Sequence, residues 1–226
     1  MPVFITAAPV EFAVATVLPD GLILPFAGAS TVVFFSLSYF FGQVGADFGK
    51  RVEPALWKSW GGPPATRFLR HDNKEFNSAT RTRIHAKLRN LGLEVPTAEE
   101  ERADDDRARQ LYDSAVDELR SLTRDPHRFH LVYKSNIEYG FRRNMLGLKP
   151  IGITVTIAAL LITGWTLLCG WHTERVIPHV APVTTLLNCC VAIGWLVGVR
   201  AATVRITADR YARSLLDAAM TLEPSK

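Results

Sequence analysis

Hydrophobic positions in this chain are gathered into long blocks, with the charged positions collected between them. No Asp, Glu, Lys or Arg occurs from Ile151 to Trp171, from Val176 to Val199, or from Gly21 to Ala46. About 20 helical residues cross a hydrocarbon core roughly 30 Å thick, so each block is long enough to span a bilayer. Inside a bilayer only helices and closed barrels satisfy their own backbone hydrogen bonds. These unbroken apolar runs lack the alternation of a barrel strand. Only His172-Thr173-Glu174-Arg175 separates the second block from the third, which makes those two helices antiparallel neighbours. The pattern predicts an all-α integral membrane protein with three transmembrane helices and a helical cytosolic insert between the first and second. The expected segments are an external stretch 1–20, spans 21–46, 151–171 and 176–199, an insert 47–150, an external loop 172–175 and a C-terminal helix 200–226.

Within the polar segments the apolar positions follow helical periods. Asn77 or Ser78 caps a helix to Leu91, where Gly92 ends it. Thr97 and Glu100 form a capping box for a helix reaching Leu122, with Glu99, Glu100 and Glu101 favoured at its positive end. Ala108, Leu111, Ala115, Leu119 and Leu122 give that helix a continuous apolar line. A second Ser-x-x-Glu pair, Ser135 and Glu138, and a stop at Gly147 and Pro150 predict a short elbow helix over Asn136 to Leu146. Its expected face is Ile137, Phe141 and Met145. Gly61-Gly62-Pro63-Pro64 ends the helix before it. After the third block, Val197, Ala201, Val204, Ala208, Tyr211, Leu215, Ala218 and Leu222 alternate gaps of four and three, an a/d seam. Either the insert or copies of the same helix would cover it. The prolines of 1–20 argue against a further full crossing, so this segment is expected to skim the outer face or pack on the mouths of the spans.

Charge orients the picture. The formal net charge of the 226-residue chain is +4. Lys50, Arg51 and Lys58 follow the first block, Arg142, Arg143 and Lys149 precede the second, and Arg200, Arg205, Arg210 and Arg213 follow the third. Met1 to Asp20 carries no Lys or Arg. The positive-inside rule then places the N-terminus outside and both the insert and the C-terminus inside, at a plasma (inner) membrane. This placement makes lipid, rather than nucleic acid, the partner of the excess charge. Arg142 and Arg143 are lipid-interface candidates, or else pair with the acidic helix of the insert. Trp57 and Trp60 either anchor at the interface or close the core of the insert.

Several positions point to helix association. Ser38, Gly42 and Ala46 lie four apart, and Gly194 and Gly198 form a GxxxG pair extended by Cys190, spacings that let helices approach closely. Asn188 sits near the middle of the third block, where an amide needs a hydrogen-bond partner. The three cysteines, Cys169, Cys189 and Cys190, all fall in apolar blocks, which excludes a disulfide framework or zinc cage.

Catalytic chemistry finds little support. Arg124 with His130, and His127 between them, are the best candidates, and Arg124…His130 resembles the Arg-x(4–6)-His motif of HEPN-type ribonucleases. That resemblance covers a few residues only, and Arg120…His127 repeats the spacing, as chance alone provides in a segment rich in both residues. No phosphate loop, nucleophile elbow or metal-ligand spacing is present, and no cofactor is expected. The expectation is an oligomeric bacterial membrane protein whose insert senses a ligand or partner and whose spans respond, as a pore or membrane-perturbing effector. A membrane anchor or scaffold for a soluble partner protein is the alternative, and a tethered hydrolase ranks third.

Overall fold

In a computed structural model, residues 2–17, 42–173 and 180–223 are described, and among them the chain is all-helical with no strand. The helices are α1 (Pro2–Val17), α2 (42–60), α3 (Pro64–Leu69), α4 (Ser78–Asn90), α5 (Ala98–Ala103), α6 (Asp105–Leu122), α7 (His130–Thr173), α8 (Val180–Ile193, continued by a π-helical turn Gly194–Gly198) and α9 (Ala201–Ala219). Two helical runs, His130–Cys169 and Ala181–Gly198, are long and apolar enough to cross a membrane. Most of the first block, residues 21–41 with Ser38, and the connection 174–179 lie outside the described residues.

The chain forms two compact units, Met1–Glu53 with Gly140–Ala201, and Pro54–Tyr139 with Ala202–Lys226. In the first, α7 and α8 fold back on each other. Lys149 Nζ donates to the Val199 carbonyl at 2.7 Å, and Trp195 packs where a side chain on Gly152 would stand. The helix 42–53 crosses α7 at glycines. A Cβ on Gly147 would lie 2.5 Å from the Phe48 carbonyl carbon and 2.7 Å from the Gly49 nitrogen, and one on Gly49 would meet Asn144. Only glycine permits this approach of two backbones. The segment expected either to skim the outer face or to pack on the mouths of the spans is the 16-residue helix α1, which rises about 24 Å and packs along α8.

The second unit is an orthodox helical core. Phe68, Leu88, Tyr112, Val116, Leu119, Leu215 and Leu216 are fully buried. Gly61 and Gly62, at φ +84° and +129°, turn the chain out of α2 through a conformation that glycine adopts without steric cost, and Pro64 starts α3. Asn77 caps α4 through the Thr80 N–H, and Gly92 leaves it at φ +83°. The Thr97/Glu100 capping box is formed. Arg213 lies over both Phe68 and Phe76, 5.5 and 5.3 Å from the ring centres, and pairs with Glu75 at 2.9 Å.

Three expectations are corrected. The helix from Thr97 to Leu122 is two helices, because Asp104 leaves helical geometry and its carboxylate caps a new start at the Arg107 N–H. There is no elbow. Helix α7 runs 44 residues from His130 through Gly147 and Pro150 without a stop. Proline removes a single helical hydrogen bond, and neighbouring packing holds the turn together. Ser135 is therefore inside a helix, bonded to Ser214 at 3.0 Å, and Glu138 pairs with Arg210 rather than capping. The predicted elbow face also fails, since Ile137 and Phe141 are exposed while Met145 is buried. Of the two covers expected for the C-terminal helix, the insert is the one present on this chain. α9 shares the core of the second unit, with Ala212, Leu215, Leu216, Ala219 and Leu222 buried against residues of α3, α4 and α6.

Candidate functional site

In the first unit the buried faces are small and polar. Along the apolar run of α7 after Ile151 the buried positions are Gly152, Thr156, Ala159 and Thr163, and on α8 they include Ala181, Thr184 and Asn188; nearer the basic end Met145 and Leu148 cluster with Trp195 and Val199 instead. Their gaps of three and four mark one face of each helix. Each threonine hydroxyl can return its proton to a carbonyl of its own helix, as Thr156 does to Gly152 at 2.7 Å, so it is buried at little cost. Thr16 of α1 joins them, its Oγ1 2.8 Å from Thr184 Oγ1. Asn188, one turn beyond Thr184, is 0 % exposed, yet neither its Oδ1 nor its Nδ2 has a partner among the described residues. No described residue of the second span bonds to it.

The outer faces are the reverse. Leu161, Trp165, Leu168, Leu186, Ile193 and Leu196 are exposed. Only 22 % of the most apolar 18-residue stretch of either run is buried, far from the near-complete burial of a core helix in a water-soluble fold. Gly42, Gly194 and Gly198 also face open space, for a Cβ at any of them would meet nothing within 4 Å. The glycines that permit close packing inside the chain are Gly49, Gly147 and Gly152. Gly45 and Gly49 form a GxxxG pair in the sequence, one residue out of phase with the Ser38, Gly42 and Ala46 line.

A second polar cluster lies in the other unit. Glu101, 7 % exposed, accepts from the Tyr112 hydroxyl at 2.8 Å and from the His71 backbone N–H at 3.0 Å, and pairs with Arg70 at 3.2 Å. His85 Nε2 donates to the Leu69 carbonyl at 2.7 Å, and the His71 ring stands edge-on to it with centres 4.8 Å apart. Burial, reinforced by His71, Arg89 and Arg81, lowers the His85 pKa to about 4 against the bond to Leu69, which raises it. Burial and the Glu101 carboxylate push the Tyr112 phenol well above its usual range. Each of these groups has a partner, so the cluster fastens α3, α4, α5 and α6 together rather than presenting a reactive atom. In the sequence Glu101 was one of three glutamates suited to a helix start; nothing local distinguished it as the buried one.

The remaining predicted residues fall as follows. Arg124, His127 and His130 are all exposed, and no described hydrogen bond joins their side chains. His130 lines a surface cleft of about 340 Å³ with Arg128, Ser214 and Asp217. Trp60 is buried and Trp57 half-buried. Arg143 pairs with Glu53 at 2.9 Å, a carboxylate of α2 rather than of the insert's acidic helix, while Arg142 is half-buried. Val204, Ala208 and Leu215 are buried and Tyr211 packs beside them, stacked on Tyr139 with ring centres 6.3 Å apart. Thr207, Ala212, Leu216 and Ala219 are buried as well, so the apolar stripe of α9 is wider than an a/d seam, as on a helix laid against a core. Compared with known proteins, the chain matches no protein-family model, no curated protein and no solved structure.

Proposed function

We propose that this chain is a multi-pass membrane protein whose helical second unit receives a ligand or partner and whose apolar helices respond, as an oligomeric pore or membrane-perturbing effector. The observation that carries the membrane reading is the inverted burial of the first unit, large apolar side chains outward and threonine, glycine and asparagine inward. In lipid the hydrophobic effect between helices is absent, and small residues with interhelical hydrogen bonds take its place. The positive-inside rule applied to the arginine-rich segments favours a cytosolic second unit and an external N-terminus, with the first block, 21–46, as a third span.

The responding element is Asn188. An amide held without a partner inside an apolar bundle is a functional suspect, because a purely structural position would favour leucine. Helix α7 supplies the link, since its residues 130–139 belong to one unit and 140–173 to the other without a break. Gly194 and Gly198, open on their own chain, supply the face for copies of α8. Induced expression should depolarise bacterial cells, and Asn188→Leu should reduce that effect at equal abundance. A membrane potential that stays intact at high expression would refute the effector reading.

A scaffold that holds a soluble partner at the membrane is the second reading. It is favoured by the closed, hydrogen-bonded interior of the second unit, where no catalytic constellation is assembled among the described residues. A pulldown from membranes should then recover one soluble protein, lost on deleting Arg51 to Asn73.

A further inference from the structure

We propose that the basic end of the first unit is a seat for the phosphates of anionic phospholipids, an inference that rests on the membrane reading above. Among the described residues of that unit, every charged side chain but Glu11 lies in three short stretches, 42–53, 140–150 and 199–201. They hold six cations, Lys50, Arg51, Arg142, Arg143, Lys149 and Arg200, against two carboxylates, Asp47 and Glu53.

The fold brings the three stretches to one level. Gly49 meets Asn144, Gly147 meets the Phe48 backbone, and Lys149 reaches the carbonyl of Val199, the residue before Arg200. From Arg142 to Lys149 the helix rises about 10 Å. A headgroup layer is about 5–8 Å thick on each side of the hydrocarbon, and long basic side chains reach along such a layer. The boundary with the apolar surface is sharp on both helices. Past Lys149 the exposed large side chains of α7 are apolar from Ile151 onward, although Phe141 is exposed among the basic residues too, and on α8 they end at Val197.

Not all six cations are available to a ligand. Arg143 is neutralised by Glu53, and Lys149 is spent on the helix end. Lys50 is exposed and Arg142 half-buried, and no hydrogen bond or ion pair among the described residues engages either. Arg51 is exposed, its guanidinium 5.3 Å from the centre of the Phe48 ring, which leaves its N–H edge for an acceptor. Lys50 and Arg51 from α2, with Arg142 from α7, therefore present donors on either side of the Gly49/Asn144 crossing. An anionic phosphate flanked by acyl chains matches this arrangement, charge at the crossing and apolar surface directly beyond it.

The test is made on the full chain in nanodiscs of phosphatidylcholine, with and without phosphatidylglycerol, reading retained lipid by native mass spectrometry. Phosphatidylglycerol should be retained in preference. The triple variant Lys50→Gln, Arg51→Gln, Arg142→Gln should lose that preference by about fivefold per cation removed. The charge-preserving set Lys50→Arg, Arg51→Lys, Arg142→Lys should keep it. Should the triple variant fail to assemble, Lys50→Gln alone, at an exposed position, should shift retention in the same direction. Equal retention of the two lipids, an unchanged triple variant, or displacement of the lipid by excess inorganic phosphate would each overturn the proposal. A chain that stays monodisperse without any amphiphile would instead overturn the membrane reading beneath it.

Discussion

The two units solve the problem of burial in opposite ways. In the second, Leu88, Leu119 and Leu215 are sealed inside while Arg, Glu and Asp cover the outside, and even the buried Glu101 is matched by three donors. In the first, Thr156, Thr163, Thr184 and Asn188 are inside and Leu161, Trp165 and Leu186 are outside. On the membrane reading proposed above, one chain obeys two solvents. Where water drives folding, apolar area is hidden at about 25 cal/mol per Å². In the other unit, close helix contact through glycine and hydroxyl does the organising, as expected where the surroundings are themselves apolar.

Substitutions break this comparison at different depths. The largest effect is expected at the glycine crossing. Gly147→Leu would drive a side chain into the Phe48 backbone, which cannot move aside as a flexible side chain can, and should cost about 3 kcal/mol or prevent assembly of the first unit. Gly194→Ala and Gly198→Ala meet nothing within 4 Å and should leave monomer stability unchanged or raised. Thermal unfolding in mild detergent separates these outcomes. Equal losses at Gly147 and Gly194 would remove the crossing from the account.

Next comes the core of the second unit. Leu119→Ala should destabilise it by about 2–5 kcal/mol, whereas Leu161→Ala, at a position 69 % exposed, should change unfolding in detergent very little. Similar losses at both positions would mean that the first unit hides its leucines after all. Acid should act on the same core. The folded His85 pKa of about 4 lies below its ordinary 6.5, so the unfolded chain binds the proton first as pH falls. Stability from this group is complete above pH 6.5, falls by about 1.4 kcal/mol per pH unit below it, and levels off near pH 4. Denaturant titrations from pH 7 to 4 should show this slope, and His85→Gln should flatten it.

Smaller, and opposite in sign, is the effect at Asn188. Replacing an unpartnered buried amide by leucine should raise the unfolding temperature, by about 1–2 kcal/mol of stability, while depolarisation falls. A variant both less stable and less active would mean that Asn188 has a structural partner.

How much of this was legible in the chain depends on the range of the interaction involved. Two of the three charge-free runs correspond to the antiparallel pair of α7 and α8, and Asn77, Thr97 and Gly92 mark helix ends where expected, because a cap needs only residues three or four apart. Longer-range features were hidden. Gly147 and Pro150 read as a stop because nothing local reveals that the 42–53 helix crosses there. The heptad line of α9 was visible, but its partner was not, and the burial of Leu216 and Ala219 depends on α3, α4 and α6. Asn188 stood out by being polar in an apolar run; its lack of a partner among the described residues is a tertiary fact.

The central claim is that the surface formed by Leu161, Trp165, Leu186 and Leu196 faces lipid. Alkaline carbonate extraction of cell membranes tests it most directly, since it strips peripheral proteins and leaves embedded ones. The full chain should remain in the membrane pellet and require detergent for release. Recovery in the carbonate supernatant, folded and monodisperse, would contradict the account.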